Sequence, residues 1–287
     1  MKIKAFTLAV IATVASMHFG SATDWTGNST VDTTDWSDAT NWSAGVPTIT
    51  TVANLIYPAG DAADIVISTD SSAIGLVYGA DLTYYKFLGT ASKVTLTIGS
   101  SGITNLSTNA LNDSAVPSAI NHAANTALGA SSTFSAGTLG LEMNGSLDIK
   151  TNTLTVATVA GTLILDGGTS FSVASASTYG KIAGTGLVQL SGALTFDFTT
   201  PVGAGTWDFI NQTPTGTLTS LSLADSYSGS FTETTPGSWD ATAGGLTWNY
   251  KAATGILTSV PEPPTWALLA GSLTTVMVFR RRRRSVV

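Results

Sequence analysis

The chain contains no cysteine. Disulfides, thiolate nucleophiles and cysteine-based metal sites are therefore excluded, and the fold must be held by burial and backbone hydrogen bonds alone. Charge is also scarce. Asp, Glu, Lys and Arg make up 10% of the 287 residues, against about 25% in a typical globular protein. Amphipathic helices need those residues on their wet faces, so a helical body is disfavoured. Basic residues are rarest: between the two termini there are only Lys86, Lys93, Lys150, Lys181 and Lys251. Seventeen acidic residues up to Ser259 set against these five lysines give the body a balance of −12. Such a surface repels nucleic acid and anionic lipid. Past the first 22 residues the one histidine is His122, and a lone histidine without nearby cysteine is a packed or surface residue before it is a ligand. No G-x-S-x-G, H-E-x-x-H, P-loop or G-G-x-G-x-D calcium repeat occurs, so no catalytic residue, metal site or cofactor is expected.

What is abundant points to β-structure. Glycine (29 residues), serine and threonine fill the space that charge leaves, a composition suited to short strands and tight turns. From about Leu55 to Phe198 short alternating runs are broken by Gly, Asn or Asp. In Leu154–Leu165 the inward positions are Leu154, Val156, Val159, Leu163 and Leu165. Thr153, Thr155, Thr158 and Thr162 take the opposite face, as period-two alternation predicts. Asn144-Gly145 and Asp166-Gly167 are turn signals, because both residue types tolerate positive φ. Strands of this kind build either a coiled parallel β-helix, that is a β-solenoid, or a β-sandwich. Their similar lengths, small turns and recurring Ser/Thr/Asn favour the solenoid. The Ala- and Asn-rich stretch Thr108–Ala130, broken by Pro117, reads as a loop or short helix inserted in the stack.

Tryptophan marks both flanks of that stack: Trp25, Trp36 and Trp42 before it, Trp207, Trp239 and Trp248 after it. A bare terminal rung exposes core and unpaired strand edge, so these regions, about 23–58 and 203–259, are expected to cap the solenoid. The sharper alternative is that Trp36, Trp42 and Trp239 are exposed and stack on sugar rings. A third reading borrows from β-helix enzymes acting on polysaccharide, with Asp148, Asp166 and Asp197 lining one face.

The termini carry addresses. Lys2 and Lys4, the apolar run Ala5–Val14 and the small residues Gly20-Ser21-Ala22 make a secretory signal, cleaved after Ala22 and engaging the Sec translocon and signal peptidase. At the other end Pro261-Glu262-Pro263 precedes an apolar run, Trp266–Phe279, and then Arg280, Arg281, Arg282, Arg283 and Arg284. A helix over those 14 residues spans about 21 Å, short of the ~30 Å hydrocarbon core. The arginines lengthen it by snorkelling and hold its end in the cytoplasm. A weak, oriented span behind a proline-framed extended stretch suits temporary retention and processing better than permanent anchoring, which is the rival reading.

Those tail residues resemble the PEP-CTERM sorting signal. The resemblance implies an exosortase, an integral-membrane protease or transpeptidase, as partner, with release or conjugation near Pro261-Glu262-Pro263. It also implies a surface or extracellular-matrix cargo associated with exopolysaccharide. The body is similar to the autotransporter-associated β-strand repeat proteins, through Asp35-Trp36, Asn41-Trp42-Ser43-Ala44-Gly45-Val46-Pro47, Gly205-Thr206-Trp207 and Gly245-Leu246-Thr247-Trp248-Asn249-Tyr250. The expectation is thus 1–22 signal helix, 23–259 all-β solenoid body, and 260–287 sorting signal with a hydrophobic helix at 265–279. The protein so read is structural, not an enzyme.

Overall fold

A computed structural model describes residues 21–27, 29, 33–55, 63–79, 85–89, 94–106, 120–137 and 140–262. The expected terminal helices, Pro263 and the five arginines lie outside the described residues.

The body is an all-β parallel solenoid of about five turns. It is approached by β1 (Ala22–Asp24), a 3-10 turn at Ala39–Asn41 and β2 (Val52–Leu55). The first two turns are built from β3 (Ala63–Ile67), β4 (Ser71–Tyr78), β5 (Tyr85–Gly89) and β6 (Thr95–Asn105). Next come β7 (Ile120–His122), β8 (Asn125–Leu128) and β9 (Ser132–Ser135), then β10 (Leu141–Met143), β11 (Leu147–Asp148) and β12 (Thr153–Val156). The last full turn is β13 (Thr162–Leu165), β14 (Thr169–Val173) and β15 (Lys181–Gly184), after which β16 (Leu187–Leu190) and β17 (Ala193–Phe198) open another.

Three faces result. The first is the six-stranded sheet β3-β5-β7-β10-β13-β16. The second stacks the first halves of β4 and β6 with β8, β11, β14 and β17; the third stacks β1, β2, the second halves of β4 and β6, β9, β12 and β15. All these pairings are parallel. Leu141 lies beside Leu163 and Leu163 beside Val188, steps of 22 and 25 residues. Lys86 beside Asn121 is a step of 35. The surplus falls between β6 and β7.

The expected insertion at Thr108–Ala130 is therefore corrected. Its second part, from Ile120, forms β7 and β8, which are ordinary rungs. Asn and Ala are poor strand formers alone, but pairing on both sides overrides propensity. The period-two reading of Leu154–Leu165 agrees with the structure: Leu154, Val156, Leu163 and Leu165 are buried in the core, and Val159 packs against it from the connecting loop.

The corner between the first and second faces shows why glycine recurs. A Cβ on Gly167 would lie 2.1 Å from the Gly145 carbonyl oxygen, and one on Gly192 would lie 1.8 Å from that of Gly167. Neither Gly145 nor Gly167 has positive φ, so close approach, not left-handed backbone, is the requirement. The rungs meet there backbone to backbone, as in Gly167 N–H donating to Met143 O at 2.9 Å.

Beyond β17 the topology changes. β18 (Gly205–Asp208) leaves the stack, while β19 (Ser220–Asp225) extends the second face and β20 (Gly229–Ser230) pairs antiparallel to it. β21 (Thr232–Thr235), β22 (Ser238–Ala243), β23 (Leu246–Lys251) and β24 (Ile256–Pro261) join β18 in an antiparallel sheet ordered β18-β24-β23-β22-β21.

Candidate functional site

Two clusters of indole rings close the core. Around the 3-10 turn, Trp42 meets Trp25 at 4.9 Å and Trp36 at 4.6 Å, both edge-on. The Trp42 Nε1–H donates to Trp36 O at 2.8 Å. Asp38 starts that turn by accepting from Thr40 N–H at 2.9 Å, and buried Asn41 accepts from Ser29 N–H and donates to Asp35 O, each at 2.9 Å. At the other end Trp207 stacks on Trp248 at 5.8 Å, and Phe198 meets both. Trp36 is 0%, Trp42 4% and Trp239 8% exposed. A ring with no free face cannot stack on a sugar, so these three residues are withdrawn as sugar contacts: each is spent on the core.

The sites expected to be cut sit at the edges of the folded body. Ala22 opens β1, and Thr23 is already buried and paired with Ala53 of β2. Pro261 ends β24 opposite Leu246, and the Glu262 N–H donates to Gly245 O at 3.1 Å. Both Pro261 and Glu262 are exposed.

His122 lies inside the solenoid, fully buried. The Tyr78 hydroxyl is 2.7 Å from its Nδ1, and Thr126 Oγ1 is 2.8 Å from its Nε2. The Thr126 hydroxyl donates onward to Ala124 O at 3.3 Å. A neutral imidazole suits this chain, with Nδ1 accepting from tyrosine and Nε2–H donating to threonine. Burial pushes the imidazole down to about 3 and pushes the Tyr78 phenol up. The residue is a core group between two hydroxyls, not an open base.

The three aspartates offered for polysaccharide chemistry do not converge. Asp166 follows β13 at the first corner, where its charge, after burial, raises the carboxyl of Glu142. Asp148 and Asp197 share the outer side of the second face. Burial, then the hydrogen bond and charge of Asp225, then the charge of Asp148, raise the carboxyl of Asp197. Asp225 reaches it from a left-handed backbone, φ 58°. Two carboxyls on adjacent strands and this close together leave no room for a sugar or water between them. Asp148 and Asp197 are two rungs and two residues apart, about 12 Å by strand spacing, beyond the separations that either glycosidase geometry uses.

No family model, curated protein or solved structure matches the chain.

Among the described residues no three His, Cys, Asp or Glu side chains are grouped to hold a metal, and no helix is long and apolar enough to cross a membrane. What sequence reasoning missed is the Asp225 partner of Asp197. The register aligning Phe198 with Asp225 depends on where the chain re-enters the stack after β18, and no local pattern announces that.

Proposed function

We propose that this chain is an exported surface or matrix protein: a non-enzymatic β-solenoid body delivered by a signal sequence and sorted by its C-terminal tail. The observation that carries the reading is the coincidence at Glu262. Among the described residues the last strand ends at Pro261 and the last backbone tie is the Glu262 N–H, where the Pro-Glu-Pro motif lies in the sequence.

Signal peptidase and the Sec translocon act at the first end, and an exosortase-type membrane protease or transpeptidase acts at the second. The working body then stands outside the membrane, in or on an exopolysaccharide matrix. A solenoid suits that duty because its core is continuous and its rungs are mutually hydrogen-bonded. Mass spectrometry of the C-terminus of the surface form tests the reading. The expected species ends close to Pro261-Glu262-Pro263. Persistence of Arg280–Arg284 on the surface form sinks the processing step and leaves a permanent anchor.

A further inference from the structure

Most corners of the solenoid are tight, but β14 and β15 are joined by a hairpin. Val173 bridges Tyr179 in antiparallel fashion. Between them Ala174 N–H donates to Thr178 O at 2.9 Å and Thr178 N–H donates to Ser175 Oγ at 2.9 Å. The tip, Ala176–Thr178, is exposed. Between this hairpin and the outer side of the third face runs a groove of about 360 Å³, lined by Thr151, Thr153, Ser177, Thr178, Tyr179 and Lys181. That volume is in the range of small-ligand sites, ~300–1,000 Å³.

The lining is organised. Thr153 lies beside Lys181 in register, and its N–H donates to Ser131 Oγ at 2.9 Å, so Ser131, Thr153 and Lys181 follow one another up the rungs. Thr133, Thr155 and Ala183 form the next column. The hydroxyls of Ser131 and Thr153, and of Thr133 and Thr155, thus stand ~4.8 Å apart along the stack and ~6.7 Å across it, with Lys181 and Ala183 on the next rung. Tyr179 is half-buried, and its ring is fixed edge-on against Phe209 at 5.5 Å. It is the aromatic among the lining residues, whereas all six tryptophans of the body are buried.

Hydroxyls that both donate and accept, one preset aromatic ring and one ammonium are the contacts a pyranose uses. Charge selects among sugars. A body at −12 repels a polyuronate or sulfated chain, and one lysine does not reverse that field. We propose that this groove is a subsite for an uncharged hexopyranose polymer, with a sugar ring against Tyr179 and its hydroxyls on Thr151, Thr153, Ser177 and Lys181. The proposal rests on the matrix reading for the source of the polymer.

The test is calorimetric titration of the purified full chain with neutral (1,3)-, (1,4)- and (1,6)-linked gluco-oligosaccharides, and with an oligouronate of matched length. At least one neutral series is expected to bind, and more tightly than the uronate. Tyr179→Ala should weaken binding about tenfold by loss of ring contact. Because Tyr179 also packs on Phe209, a second variant separates binding from folding. Thr153→Arg fills the groove from an outward strand position, and should abolish binding with the unfolding midpoint unchanged. No binding to any neutral series, tighter binding of the uronate, or binding indifferent to Thr153→Arg overturns the proposal. None of these outcomes changes the C-terminus of the surface form, so the sorting reading stands or falls separately.

Discussion

The two halves of the solenoid fill their interiors differently. Toward the N-terminus the core includes buried polar side chains with partners: Asn41, Asn105 and the Tyr78–His122–Thr126 chain. Asn105 alone donates to Ala136 O at 3.2 Å and Gly140 O at 2.9 Å. Toward the C-terminus the core is aromatic, with Phe171, Phe196 and Phe209 in contact and Phe198 against Trp207 and Trp248. The polar half is also where turn length is irregular, a step of 35 residues against 22 and 25 later on. Apolar alternation excludes a one-residue slip but tolerates a two-residue one, which a buried hydrogen bond does not. Register is thus fixed by polar side chains where chain length cannot fix it, and by repetition where it can.

The largest blow to this contrast is expected from the aromatic end. Trp248→Ala removes a fully buried ring that touches Phe198, Trp207 and Tyr227, and should cost about 3–5 kcal/mol in urea unfolding. Acid should strike the other half. His122 has its folded pKa pushed down to about 3, below its unfolded value, so its contribution is intact above pH ~6.5 and is lost as pH falls from there toward 3. By pH 4.5 the loss is about 3 kcal/mol. Asp197, raised in the fold by burial and by Asp225, works in the opposite sense and softens the slope. Hydrogen exchange at pH 4.5 should show the turns around β4 and β7 opening before those around β14 and β17. Uniform opening would erase the contrast.

A glycine comparison within the regular half comes next. Gly167→Ala drives a methyl into the Gly145 carbonyl and should cost about 2–3 kcal/mol, whereas Gly168→Ala, with nothing within 4 Å, should change thermal stability by less than about 0.5 kcal/mol. The smallest effect is the sharpest. Tyr78→Phe takes the donor from His122 and should destabilise by about 1–2 kcal/mol. Tyr250→Phe removes a buried hydroxyl that has no hydrogen-bond partner among the described residues, and should be neutral or stabilising by about 1 kcal/mol. Equal signs for the two variants would mean that polar satisfaction does not distinguish the halves.

The solenoid was legible because alternation survives in the sequence wherever a strand buries one side, as in Thr153–Leu165. Alternation says which side of a strand faces in, but not which of three faces the strand joins. Alternation alone therefore places Asp166 with Asp148 and Asp197. The rungs β7 and β8 were hidden because Asn121, Asn125 and Ala127 are strand residues only by pairing with their neighbours. Whether a tryptophan is buried or presented is not written in its spacing. Trp36, Trp42 and Trp239 became core residues because the stack ends need covering, a demand made by the fold and not by the local chain. The Tyr179 groove was invisible for the same reason: its parts come from Thr151, Ser177 and Lys181, on successive connections and rungs.

The glycine corner has a consequence for size. Gly145, Gly167 and Gly192 mark successive passes of the chain through one place, and each pass brings its own small residue. A segment such as 141–162 therefore meets, above and below, surfaces much like its own. Duplicating it would insert a rung with ready-made neighbours, and deleting it would let the rungs on either side meet. The length of the body can thus change in increments of about 4.8 Å while both ends keep their covers, which gives this architecture an adjustable reach.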